Sequence, residues 1–311
     1  MPRSSQHLRT ASLLSFCLVL FALPGGHAER LCPGNAASIT PRFVQHTLIV
    51  IPVKISGKGP FDFIVDTGSQ ITEVDTALAT QLVLSHMGTT DVATVAGHVN
   101  APLAEVAAIE ADSHVVENAL VAVQDLRQLQ TVDPRIRGLL GESFLARFDV
   151  FIDYRRKIFC MDNTDQMRQT IRGERISIVE QHDSEADPPF PLQLIISVQL
   201  SDAPGRRLFL RLDSGTNAPM LFVKTHETPE WMTSRPSQKV RLAGTAEQDF
   251  EILPPQDLTI GNRTLRHIAF IKPVDNGSNY LKNEQDGLLP TGLFHRVFIS
   301  FADRWVAFNP E

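Results

Sequence analysis

The chain has 311 residues, 43% of them hydrophobic and 21% charged, which is enough apolar material for a large core and describes a globular chain rather than a disordered one. A formal net charge of −6 carries no electrostatic footprint for nucleic acid. The ten histidines are scattered, with no pair at metal-ligand helix spacing, so the pattern points to no metal site.

In chain order, residues 1–28 read as a secretory signal. Arg3 and Arg9 precede an apolar stretch from Ala11 to Leu23, and small residues end at Ala28, where cleavage is expected. The stretch is too short to span a bilayer, and no later segment is long and apolar enough, so no membrane span is expected after the signal is removed. Export to a secreted or periplasmic location follows, and the mature chain then carries 27 basic against 35 acidic residues, a net charge of −8. Cys17 lies inside the signal, which leaves Cys32 and Cys160. In an exported chain these suggest one disulfide, two unrelated buried thiols being the alternative.

Beyond the signal, short β-branched and aromatic runs bounded by turn residues predict strands over Leu48–Ile55, Phe61–Val65, Val115–Val123, Val150–Tyr154, Leu192–Leu200, Leu208–Leu212 and Val297–Phe301. Brief helices are expected over Thr76–Leu84, Asp125–Gln130, Glu142–Arg147 and Thr291–Arg296. The fold class is therefore all-β with a few short helices. Asp183-Ser184-Glu185-Ala186-Asp187-Pro188-Pro189 closes a polar stretch that reads as a solvated linker.

A repeat organises these elements. Phe61-Asp62-Phe63-Ile64-Val65-Asp66-Thr67-Gly68-Ser69 is echoed by Leu208-Phe209-Leu210-Arg211-Leu212-Asp213-Ser214-Gly215-Thr216 at an offset of 147, and Val150-Phe151-Ile152-Asp153-Tyr154 is echoed by Val297-Phe298-Ile299-Ser300-Phe301 at the same offset. Between them Gly138-Leu139-Leu140-Gly141 answers Gly287-Leu288-Leu289-Pro290, shifted by two further residues. Three blocks in order argue for duplication, with an N-terminal lobe over 29–165, a linker over 166–191 and a C-terminal lobe over 192–311.

The two Asp-[Thr/Ser]-Gly-[Ser/Thr] blocks carry the chemistry. Two carboxyl groups sharing one proton can activate a water and polarise a carbonyl, one as base and one as acid. Gly68 and Gly215 lack the β-carbon that would hold two such loops apart. Thr67 and Ser214 have hydroxyls able to bond backbone across the join, while Ser69 and Thr216 are expected to donate to the outer carboxylate oxygens of Asp66 and Asp213. No Gly-x-Ser-x-Gly elbow, phosphate loop or lone cysteine in a suitable setting competes with this pair.

Asp66-Thr67-Gly68-Ser69, Gly138-Leu139-Leu140-Gly141 and Phe151-Ile152-Asp153-Tyr154 together resemble the retropepsin and pepsin-like aspartic protease superfamily. The resemblance implies a two-lobed acid-protease fold of the single-chain, bacterial type. It also implies a monomer that needs no cofactor and an extended polypeptide substrate in the inter-lobe cleft, with Asp66 and Asp213 as the catalytic pair. It further implies a β-hairpin flap, for which 92–106 with Gly97 near its tip is the candidate, Gly244 marking the corresponding stretch of the second half. Two features depart from pepsins: no tyrosine stands in the flap candidate, and Gln70-Ile71-Thr72-Glu73-Val74 stands where a tryptophan often follows the first motif.

An aspartic endopeptidase is the reading these residues favour. A catalytically inactive peptide-binding protein on the same scaffold is the alternative, raised by Pro290 in the second apolar-apolar-Gly element and by Arg211 beside the second aspartate, though strand alternation should turn Arg211 outward.

Overall fold

A computed structural model describes residues 32–36, 38–94, 97–162, 164–179, 193–203, 205–222, 239–240, 249–274 and 285–311. The expected signal at 1–28, Gly244 and the acidic end of the expected linker lie outside the described residues. Among the described residues, no helix is long and apolar enough to cross a membrane.

Leu31–Glu311 pack as one unit, and its described residues form three sheets. In the first half, eight strands run in the order Arg42–Val44, Leu48–Ile55, Lys58–Val65, Ile136–Leu140, Thr72–Asp75, His114–Gln124, Gly97–Ala111 and His86–Thr94. Leu48–Ile55 also pairs with Gly97–Ala111, so the sheet folds back on itself. At its centre Ile136–Leu140 lies parallel to Lys58–Val65 and antiparallel to Thr72–Asp75, which is parallel in turn to His114–Gln124. The second half repeats this pattern. Gly287–Pro290 lies parallel to Leu208–Asp213 and antiparallel to Met220–Leu221, which runs parallel to Ile271–Pro273. Central strands of this kind are covered on both faces, which explains their near-continuous apolar sequences.

The third sheet joins the halves. Hairpins ending each half meet where Asp149–Asp153 pairs antiparallel with Arg296–Ser300, and the register places Phe151 opposite Phe298, Val150 opposite Ile299 and Ile152 opposite Val297. Phe151 and Phe298 are repeat equivalents at the 147 offset, so a local twofold axis of the duplication passes between them. One continuous apolar cluster runs from Ile49, Phe63 and Val65 through Ile152 and Phe159 to Leu210, Leu289 and Val297.

The expected helix at Thr291–Arg296 is a 3-10 turn over Thr291–Leu293, with strand resuming at Arg296, because that segment feeds directly into the shared sheet. The expected linker is structured over its described part: Gln166–Thr170 is helical and Ile176–Ser177 adds an edge strand beside Trp305–Phe308. Polar composition concealed this because an edge strand and a one-turn helix need only a few apolar anchors, here Met167 and Ile171.

Cys32 and Cys160 form a disulfide with a Cα–Cα distance of 6.0 Å, tying the start of the described chain to the strand that ends the first half. The bridge spans 128 residues of sequence, so it removes substantial loop-closure entropy from the unfolded chain. Replacing both cysteines by serine is expected to lower the unfolding free energy by about 2–5 kcal/mol. Urea titration of the two forms checks this; unchanged midpoints would show that native contacts alone hold that end.

Candidate active site

The two Asp-Thr/Ser-Gly loops meet at the junction of the halves. Each is the end of a central strand, Lys58–Val65 or Leu208–Asp213, and the Asp66 N–H donates to Leu140 O at 3.0 Å, anchoring the first loop to the Gly-Leu-Leu strand behind it. The Thr67 N–H donates to Ser214 Oγ and the Ser214 N–H to Thr67 Oγ1, each at 3.1 Å. Each hydroxyl then donates onward into the opposite strand, Thr67 to Leu212 O at 2.9 Å and Ser214 to Val65 O at 2.7 Å. All four bonds are buried and satisfy groups that would otherwise be orphaned at a strand end.

This grip brings Asp66 and Asp213 close enough that each carboxyl acts on the titration of the other. Gly68 and Gly215 permit it: a β-carbon at Gly68 would stand 2.5 Å from Cγ of Asp213, and one at Gly215 the same distance from Cγ of Asp66. The Gly68 N–H donates to Asp66 Oδ1 at 2.8 Å and the Gly215 N–H to Asp213 Oδ1 at 2.7 Å.

The outer oxygens are treated differently, contrary to the symmetrical expectation. Ser69 Oγ donates to Asp66 Oδ2 at 3.0 Å, whereas Thr216 Oγ1 accepts from the Ala218 N–H and lies 3.5 Å from Ala218 O. Thr216 is thus used in its own turn, as short hydroxyl side chains often are. Burial pushes both carboxyls up. In Asp66 this is opposed by Ser69, Gly68 and Arg211, while Asp213, also facing the Asp66 charge, is raised to about 8.

Arg211 does not point outward. It is 4% exposed, and its Nη2 donates to Glu142 Oε2 at 3.1 Å, while Glu142 Oε1 accepts the Leu194 N–H at 3.1 Å. Alternation failed here because Leu208–Asp213 is an interior strand whose second face is covered by the first half, so neither direction leads to solvent. Burial pushes Glu142 up to about 7 even with Arg211 beside it, and Arg211 lowers both aspartates.

Pro290 also has a structural account. In the first half the Gly141 N–H donates to Thr72 Oγ1 at 3.2 Å; the repeat equivalents are Pro290, which has no N–H, and Pro219, which has no hydroxyl. Donor and acceptor are missing together, so neither is left unpaired.

The flap candidate is a hairpin, His86–Thr94 against Gly97–Ala111, with Thr94 opposite Gly97 and residues 95–96 at its tip outside the described residues. Sequence reasoning missed Glu73, 5% exposed and within 3.4 Å of Ser69 Oγ, and it missed the Glu142–Arg211 pair. A charge inside an apolar strand such as Ile71-Thr72-Glu73-Val74 was the available signal for the first. Among the described residues no cluster of three or more His, Cys, Asp or Glu side chains is arranged to hold a metal ion.

Two outcomes follow for stability. Thr67→Val and Ser214→Ala each remove a hydroxyl and strand a buried N–H and a carbonyl, so each should cost about 2–3 kcal/mol by urea unfolding, and to a similar extent. Arg211→Met, which leaves Glu142 buried and unpaired, should cost about 3–5 kcal/mol, and adding Glu142→Leu should recover part of that loss. Simple additivity in that double-mutant cycle would show the pair to be uncoupled.

The aspartyl protease family model matches residues 51–144, which include the first Asp-Thr-Gly loop, the His86–Ala111 hairpin and the Gly-Leu-Leu strand. Among solved structures, a retropepsin-like aspartic protease from Rickettsia conorii is similar over 40% of this chain and 88% of its own, at 20% identity and a TM-score of 0.30. No curated protein matches the sequence. Residues 51–144 of this chain are thus similar to the aspartyl protease family.

Proposed function

We propose that the chain is an exported, monomeric aspartic endopeptidase that hydrolyses peptide bonds with a water activated by Asp66 and Asp213. The observation that carries this reading is the reciprocal Thr67–Ser214 bonding, which holds two buried carboxyls face to face with one N–H on each inner oxygen.

The unequal surroundings of the two carboxyls support a division of labour. Asp66 accepts bonds from both Gly68 and Ser69, which favour its ionised form, so it serves as the base. Asp213 accepts only from Gly215 among these donors and faces the Asp66 charge, so it holds the shared proton. Water attacks the peptide carbonyl carbon as its proton passes to Asp66 and the Asp213 proton passes to the carbonyl oxygen. The gem-diol then collapses: the C–N bond breaks, the amine nitrogen takes the proton from Asp66, and one diol hydroxyl returns its proton to Asp213.

The substrate is an extended polypeptide lying in the cleft between an N-terminal lobe over 29–165 and a C-terminal lobe over 192–311. The hairpin that contains Gly97 closes over it, and backbone edges of such a hairpin suit β-strand addition. Export accords with the Cys32–Cys160 disulfide, since such bridges persist in oxidising compartments.

Asp66→Asn and Asp213→Asn should each lower kcat on a denatured protein substrate by on the order of a thousandfold or more, with little change in melting temperature. Pepstatin should inhibit the wild type. Because the proton-holding carboxyl is raised to about 8, activity should persist to near-neutral pH and fall as pH rises through that value. A folded wild type that cuts nothing between pH 3 and 8 would instead establish the inactive peptide-binding scaffold.

A further inference from the structure

Glu73 is a carboxyl that the hydrolytic scheme leaves unused. It lies on the Thr72–Asp75 strand, and the single hydroxyl of Ser69 stands between it and the first aspartate, 3.0 Å from Asp66 Oδ2 and 3.4 Å from Glu73 Oε1. The duplication shows that packing does not call for a carboxyl there. At the 147 offset Glu73 corresponds to Met220, fully buried in an apolar cluster, and both sit opposite equivalent leucines, Leu139 and Leu288. Ser69 corresponds to Thr216, which bonds within its own turn. The chain from carboxyl through hydroxyl to aspartate is therefore built on one side of the site only.

We propose that Glu73 is a positioning residue of this site, protonated in the working enzyme, which fixes the Ser69 hydroxyl so that its hydrogen points to Asp66. The proposal rests on the reading of Asp66 and Asp213 as the hydrolytic pair. Ser69 has one hydrogen to give. If Glu73 and Asp66 were both ionised they would compete for it and repel each other. A protonated Glu73 instead donates to the Ser69 oxygen and leaves the hydroxyl hydrogen for Asp66 Oδ2, the oxygen not already served by Gly68.

The surroundings of Glu73 favour that state. Burial, then the Asp66 charge, push its carboxyl up to about 8, opposed by Ser69. The strands on either side put Ala122 and Leu139 opposite it. The nearest residues of charge on packed elements are otherwise engaged: Asp75 caps the following helix, the Arg137 guanidinium donates to Pro134 O and Ile136 O, and Glu142 is bonded to Arg211 and Leu194. Among the described residues, none of these groups is a cation directed at Glu73 to hold it ionised.

The test compares wild type, Glu73→Gln and Glu73→Ala, each confirmed folded by its melting transition. Glu73→Ala removes the donor and should lower kcat by on the order of tenfold, with KM nearly unchanged. Glu73→Gln keeps an N–H donor in the same shape and should recover most of that loss. The alkaline limb should steepen toward about two protons lost in the wild type and about one in Glu73→Gln. A second measurement needs no turnover: the infrared difference between wild type and Glu73→Gln at about pH 6 should contain a protonated-carboxyl stretch. Glutamine as damaging as alanine, alanine without effect, or an ionised Glu73 in the infrared would each overturn the proposal. Absence of Asp66-dependent proteolysis would defeat the enzymatic reading, and the infrared band would still decide whether Glu73 holds the proton.

Discussion

The site depends on four buried hydrogen bonds exchanged between Thr67 and Ser214 and the backbones that face them. Two carboxyls brought together away from water repel when ionised and lose hydration in any state, so nothing about the aspartates themselves favours their meeting. The grip supplies the opposing force. Each hydroxyl accepts from one backbone N–H and donates to one carbonyl, and losing the arrangement would leave buried donors and acceptors unpaired on both sides. Once these bonds hold the loops, the missing β-carbons of Gly68 and Gly215 leave room for each carboxyl against the opposite loop.

The duplication sets the frame, and its departures give the site direction. Where the first half has Ile64, the second has Arg211; where the second half has Thr291, the first has Glu142. Those two exceptions find each other across the junction. On the other side Thr291 Oγ1 lies 2.5 Å from the Tyr154 hydroxyl, a neutral contact in place of an ionic one. Thr72 and Gly141 exchange a bond that Pro219 and Pro290 have both forgone. Glu73 faces the first aspartate while Met220 packs in the second half. A symmetrical scaffold thus places two like carboxyls in unlike surroundings.

Burial is the common cause of the raised carboxyls. Asp66, Glu73, Glu142 and Asp213 all titrate above their ordinary range because desolvation outweighs their hydrogen bonds. In each of these groups the folded chain keeps a proton that the unfolded chain has already released, so folding stability falls as pH rises between the two values. Arg211 limits the effect by attracting negative charge on Asp66, Asp213 and Glu142 together. The electrostatics of the pair therefore reach from the two aspartate loops into the interface between the halves.

The duplication, the strand-rich class, the two aspartate loops and the pairing of Cys32 with Cys160 were legible in the amino-acid sequence. Each is a local pattern or a spacing, and periodicity and turn chemistry act over a few residues. The Leu48–Ile55 strand was read to the residue for that reason. The direction of Arg211, the turn bond of Thr216 and the place of Glu73 were decided only by tertiary structure. Alternation tells which face of a strand a side chain takes, but what covers that face comes from a segment distant in sequence: Glu142 for Arg211, and the Asp66 loop for Glu73. Sequence fixes which groups are present; packing across the junction decides which of them meet and in what state of charge.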